Sequence, residues 1–132
     1  VDNRAGGNIS GMFRGTGLSN TGGALQLTNA GSIGGGRGVV VANAASSTIT
    51  NLAGGVIFGD RGGAVVFLGS EGHVLNNFGT LAGRVVFDAG DDTLLLGAGS
   101  VLGSDAFGGT GRNTLALQDT GTRPSPSVSP PP

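Results

Sequence analysis

A five-residue phrase, Gly-x-(Ile/Leu/Val)-x-Gly, recurs five times and limits what this chain can fold into more than any other feature. It reads Gly7-Asn8-Ile9-Ser10-Gly11, Gly31-Ser32-Ile33-Gly34-Gly35 and Gly55-Val56-Ile57-Phe58-Gly59. Gly79-Thr80-Leu81-Ala82-Gly83 and Gly99-Ser100-Val101-Leu102-Gly103 follow. The central apolar residue steps from 9 to 33 to 57 to 81, a constant 24, and then by 20 to 101. A fixed period of about 20 to 50 residues marks a solenoid, in which one unit buries its apolar face only by stacking on the next.

The repeat is wider than the phrase. An apolar residue, a polar one and an Asn precede the first four copies: Val1-Asp2-Asn3, Leu27-Thr28-Asn29, Ile49-Thr50-Asn51 and Leu75-Asn76-Asn77. After each phrase comes a second apolar stretch, read as Met12-Phe13, Val39-Val40-Val41, Ala64-Val65-Val66-Phe67 and Val85-Val86-Phe87. A third, such as Ala24-Leu25-Gln26-Leu27 or Thr93-Leu94-Leu95-Leu96, closes the unit. Each run is short, rich in β-branched or aromatic residues and bounded by Gly, Asn, Asp or Ser, which are strand signals. Three short strands per period predict an all-β fold, a three-sided parallel β-helix of about five coils over residues 1–121. Gly and Asn belong at its corners, where the chain visits positive φ.

From this follow the expected columns. Asn3, Asn29, Asn51 and Asn77 should bond amide to amide along the stack. Ile9, Ile33, Ile57, Leu81 and Val101 should point inward, with Phe67, Phe87 and Phe107 forming a second inward column. Residues 122–132, with the prolines of Arg123-Pro124-Ser125-Pro126 and Pro130-Pro131-Pro132, read as a Pro/Ser-rich linker or tail that cannot donate to a ladder.

Composition narrows function mainly by exclusion. Glycine contributes 29 of 132 residues, while 37% hydrophobic content leaves enough apolar surface for a core, so many turns is the reading rather than disorder. A net charge of −1 offers no field to recruit nucleic acid. All seven basic residues are Arg, so no Walker-type phosphate loop can form without its Lys. The absence of Cys removes disulfides, thiolate metal sites and thiol nucleophiles. No signal peptide and no membrane-spanning apolar run is read. Because Val1-Asp2-Asn3 holds the place that Ile49-Thr50-Asn51 holds later, the chain reads as beginning in mid-repeat, as part of a longer protein.

The ordered recurrence of Asn77-Phe78-Gly79-Thr80-Leu81-Ala82-Gly83, Ala89-Gly90-Asp91-Asp92-Thr93-Leu94-Leu95-Leu96 and Gly108-Gly109-Thr110-Gly111-Arg112-Asn113-Thr114-Leu115-Ala116-Leu117 resembles autotransporter passenger domains of Gram-negative bacteria. The pertactin-like and AIDA-like adhesins are the nearest kinds. The resemblance covers roughly residues 1 to 121 and implies a right-handed parallel β-helix displayed at the cell surface. It further implies export through an outer-membrane β-barrel, which this sequence does not contain, and adhesion to a host glycan or protein receptor or service as a stalk. The Gly-Asp-Ser signature of the serine-protease passengers is missing.

Several residues invite chemistry and are weighed against plainer roles. Residues 108–116 nearly match the Ca²⁺-binding nonapeptide of β-rolls, but Asn113 is neutral and Asp92 lies 21 residues away, so Asp91, Asp92 and Asn113 are read as turn caps. Arg14, Arg37, Arg61 and Arg84 each fall one to three residues beyond a repeat's closing Gly and would lie along one edge. The sharper reading is an anion- or glycan-binding strip, for sulfated or sialylated glycans or anionic lipid headgroups; the plainer is solvated corners with Asp60 as counter-charge. His73, the single histidine, is read as a surface turn residue with no partner for a zinc site or triad. No catalytic centre, cofactor or metal site is expected. Besides the non-enzymatic surface segment, the sequence admits a self-associating β-helix and, third, a polysaccharide-active enzyme fragment. The last is weakened by the absence of Trp, Tyr and Lys.

Overall fold

The first strand column sets the frame. In the computed structural model, which describes residues 1–12 and 14–118, six short strands stack as one parallel sheet in the order β1, β4, β6, β8, β11, β14. They span Asp2–Asn3 (β1), Gln26–Asn29 (β4), Thr48–Asn51 (β6), Val74–Asn77 (β8), Thr93–Leu96 (β11) and Thr114–Leu117 (β14). Each opens a coil, so coils one to five start at β1, β4, β6, β8 and β11, and β14 begins another.

Two further columns complete each coil. The second holds Asn8–Ser10 (β2), the first part of Ser32–Ala42 (β5) and of Val56–Leu68 (β7), then Thr80–Ala82 (β9) and Val101–Leu102 (β12). The third holds Thr16–Thr21 (β3), the later parts of β5 and β7, then Val85–Val86 (β10) and Ala106–Phe107 (β13). Every pairing is parallel, and the fold is an all-β parallel solenoid of about five turns. The proposed tail at 122–132 lies outside the described residues.

Inward side chains stack between the sheets. Ile33, Ile57 and Leu81 pair in register and are wholly buried, with Val39, Val65 and Val85 on the third column and Leu27, Ile49 and Leu75 on the first. Ile9 packs on the same core at the end of the stack, where only one neighbouring coil covers it. Burial of such a side chain stabilises by roughly 1.5–3 kcal/mol, offset against the entropy of ordering the chain.

Coil five departs from the expected columns by one residue, twice. Leu102, not Val101, pairs with Leu81, and Val101 pairs with Thr80 and stands 49% exposed. The turn explains this. Gly99 (φ 78) occupies the place of Gly54 (φ 83) and Gly6 (φ 81), so Ser100 takes the position that Gly55 and Gly7 hold in their coils. The backbone bonds agree: Ser100 N–H donates to Gly97 O as Gly55 N–H does to Leu52 O and Gly7 N–H to Arg4 O. The repeated phrase therefore continues in coil five one position out of step. Likewise Phe107 pairs with Val86, not Phe87, and is 47% exposed. Phe67 and Phe87 do stack, with centroids 5.0 Å apart. A slip of one residue reverses the face of every side chain in a strand.

Coil one also differs. Leu18, not the Met12 region, is the counterpart of Val39. Met12 sits in a turn at φ 58 and is 82% exposed. The corner between the second and third columns is long here, because nine residues separate Ile9 from Leu18 where only four separate Leu81 from Val85.

Candidate functional site

Two buried polar columns order the corners. In the first, Asn3 Nδ2 donates to Asn29 Oδ1 at 2.8 Å, Asn29 to Asn51 at 2.8 Å and Asn51 to Asn77 at 2.9 Å. The amide also bonds a carbonyl of the next coil: Asn3 to Ser32 O, Asn29 to Val56 O, Asn51 to Thr80 O and Asn77 to Val101 O, all at 3.1–3.2 Å. A buried amide is tolerable only with its hydrogen bonds made, and this column makes them in every rung. Glycine supplies the room, since a Cβ on Gly7 would collide with Asn3 Oδ1 and one on Gly55 would come within 2.6 Å of Asn51 Oδ1. In coil five the column position is Leu96 and the glycine position is Ser100, so ladder and glycine disappear together.

The second column was not anticipated. Leu25 N–H donates to Ser47 Oγ (2.8 Å), Ser47 N–H to His73 Nδ1 (3.0 Å), His73 N–H to Asp92 Oδ1 (2.8 Å) and Asp92 N–H to Asn113 Oδ1 (3.1 Å). Each of these residues lies two positions ahead of an inward apolar residue of the first column: Leu27, Ile49, Leu75, Leu94 and Leu115. That spacing was the available signal; the variety of side chains hid it.

His73 is therefore not a surface residue. It is 2% exposed, and its ring stacks on Phe67 with centroids 4.6 Å apart. Sequence reasoning treated a polar turn as solvated, but the turn's backbone N–H groups need acceptors and His73 supplies one. Accepting at Nδ1 requires a neutral ring. Burial lowers its pKa below the usual 6.5, opposed in part by the charges of Asp92 and Glu71.

Ser47, His73 and Asp92 do not form a nucleophilic triad. Ser47 Oγ accepts Leu25 N–H and donates to Ala45 O, and His73 Nδ1 accepts a hydrogen bond from the Ser47 backbone N–H rather than from its hydroxyl. Asp92 Oδ2 is buried with no hydrogen-bond partner among the described residues. Burial raises its pKa above 3.8, the His73 N–H bond and the His73 ring opposing and Asp91 and Asp88 adding to the rise. Asp92 also borders a largely apolar opening of about 160 Å³ at the end of the stack, with Phe87, Leu94, Phe107 and Leu115.

The acidic corner at coils four and five works as a set of turn caps. Asp91 Oδ1 accepts Arg112 N–H at 2.8 Å, Asp88 Oδ2 accepts Gly69 N–H at 3.0 Å, and Asn113 Nδ2 donates to Gly108 O at 2.8 Å.

The arginines form the most solvent-accessible chemistry. Arg14, Arg37 and Arg61 border one cleft of about 260 Å³ with Gly36 and Gly62. They come from coils one, two and three. Arg84 is exposed but does not border the cleft; its carbonyl accepts Ala64 N–H at 2.8 Å. Corner length accounts for the division. In coils one to three the corner is expanded, whereas in coil four β10 begins three residues after β9 ends. The pairing of β5 with β7 shifts register between Gly35 and Arg37, so that three residues of β7, Asp60, Arg61 and Gly62, stand against the single Gly36, with Arg61 exposed.

Compared with known proteins, the chain matches no family model, no curated protein and no solved structure. Its fold and its side-chain columns are thus the whole basis for a functional reading.

Proposed function

We propose that this chain is a non-enzymatic passenger segment of an autotransporter, displayed on the outer surface of a Gram-negative cell and serving adhesion or as a stalk. The observation that carries the reading is the in-register parallel stack, coil upon coil, with the Asn column bonded from Asn3 to Asn77. Such a stack is a stiff rod that lengthens by about 4.8 Å per coil and presents its lateral corners to solvent. A chain without cysteine can also cross a narrow pore extended and fold afterwards, since no crosslink must be opened or closed.

The test is to express the full gene product in its own host and probe intact cells with an antibody against coil three. Surface labelling, its loss on mild external proteolysis, and antibody-blocked attachment to host cells are the expected results. An epitope reached only after cell lysis would refute display.

A second reading, self-association, is favoured by one observation. Phe107 and Leu115, both exposed, border the same apolar opening at the end of the stack. A sedimentation coefficient that rises with concentration would support it, and a constant monomer value would remove it.

A further inference from the structure

We propose that Arg14, Arg37 and Arg61 bind a sulfate ester carried by a linear polysaccharide. This names a ligand class for the adhesive role above and rests on that role only for its biological setting. Arg14, Arg37 and Arg61, from three successive coils, border one cleft, whose remaining lining is glycine, Gly36 and Gly62.

The glycines matter to the geometry. A Cβ on Gly62 would collide with Arg37 Nε and stand 2.5 Å from Cγ and 2.9 Å from Cδ, so the Arg37 side chain lies flat across Gly62. A Cβ on Gly36 would stand 3.1 Å from the Arg14 backbone. The cleft floor is thus bare backbone, and the Arg37 stem is laid in place before any ligand arrives. That reduces the ordering cost of binding. The Arg14 and Arg37 side chains hold no ion pair or hydrogen bond among the described residues, where the one recorded ion pair joins Arg4 to Asp2 at 3.3 Å. Their donors are available to a ligand.

Chemistry selects the ligand class. Guanidinium groups only donate, in a planar fork suited to oxyanions. A carboxylate offers two oxygens, whereas a sulfate ester offers three terminal oxygens to three arginines. Side chains spaced by coils favour a ligand that runs along the rod, as a sugar chain can. An anionic bilayer presents its headgroups in a plane, whereas these arginines border a cleft, so a flat membrane is the poorer fit.

The experiment uses the whole chain and measures binding to heparin, to chemically desulfated heparin and to phosphatidylserine vesicles by titration calorimetry. Heparin should bind, inorganic sulfate should compete more effectively than chloride at equal ionic strength, and the other two probes should not bind. Arg37→Gln should weaken heparin binding about tenfold or more, the scale expected for loss of charge-assisted hydrogen bonds. Arg37→Lys should recover only part of it, because the point charge returns without the fork. Arg84→Gln, which removes the same charge outside the cleft, should leave affinity unchanged. Circular dichroism checks each variant; should Arg37→Gln lose its β spectrum, Arg14→Gln takes its place. Equal losses for Arg37→Gln and Arg84→Gln would reduce the effect to diffuse charge and overturn the site. So would equal binding of desulfated heparin, stronger binding to vesicles, or no heparin binding at all. None of these failures would touch surface display, which the labelling of intact cells tests separately.

Discussion

Coils two to four and coil five are built from the same phrase, yet they do not use it in the same way. In coils two to four the central residue of the phrase is a buried column member, Ile33, Ile57 or Leu81, and an Asn bonds the coil to its neighbours. In coil five the phrase is one residue out of step, Leu102 replaces Val101 in the column, and Leu96 stands where the Asn would be. The contrast shows that backbone pairing and turn geometry, rather than the phrase, decide which residue faces the core. Gly99 had to take the positive-φ place in its turn, and the strand after it was positioned accordingly.

Four predictions break or sharpen that contrast. The largest effect is expected from Asn51→Leu, which writes coil five's solution into coil three. It would remove one of the Asn29 amide's acceptors and the side-chain donor to the Gly55 and Thr80 carbonyls, and force a branched chain against Gly55. A loss of about 3–5 kcal/mol in urea denaturation is expected; a loss below about 1 kcal/mol would show that the amide column contributes little to stability.

Next comes a matched trio. Ile57→Ala should cost about 3–4 kcal/mol, Leu102→Ala about 1–2, and Val101→Ala under about 0.5, because burial falls in that order. Were Val101→Ala costlier than Leu102→Ala, the register of coil five would be the one read from the phrase.

Asp92→Asn should stabilise the fold by about 1 kcal/mol at pH 7. Asn113 already fills the equivalent place one coil on, and an Asn keeps the acceptor for His73 N–H while removing a buried unpartnered carboxylate oxygen. A lower melting temperature for this variant would refute an unpartnered Asp92 Oδ2.

The smallest effect is in the pH dependence, where the two buried titratable groups act in opposite senses. His73 has a lowered pKa, so below 6.5 the unfolded chain takes up a proton that the folded chain refuses, and stability falls as pH falls through that window. Asp92 has a raised pKa, so its contribution is fullest at low pH and is lost as pH rises above 3.8 through the folded value. His73→Asn should flatten the slope just below pH 6.5 and Asp92→Asn the slope above 3.8, measured as denaturation midpoints across pH. Unchanged slopes in both variants would assign the dependence to other groups.

Much of the architecture was legible in the chain. The 24-residue spacing of Ile9, Ile33, Ile57 and Leu81 translated directly into paired strands, and the Asn column formed as expected. The second polar column was not legible, because Ser47, His73, Asp92 and Asn113 share a position but no chemistry beyond accepting a hydrogen bond. Nor was the grouping of the arginines. Four looked equivalent when counted from the nearest glycine, whereas three border a common cleft because only their corners are expanded.

What the amino-acid order determined by itself is the solenoid, because apolar residues returning at a near-constant interval can be buried only by stacking successive coils. What tertiary structure decided is the facing of individual side chains wherever the interval changed: Val101 and Phe107 outward, His73 inward, Arg84 apart from Arg14, Arg37 and Arg61. The physical reason is that side chains alternate faces along a strand, so facing depends on the rung-to-rung pairing of the backbone. That pairing is set by turns whose length differs from coil to coil.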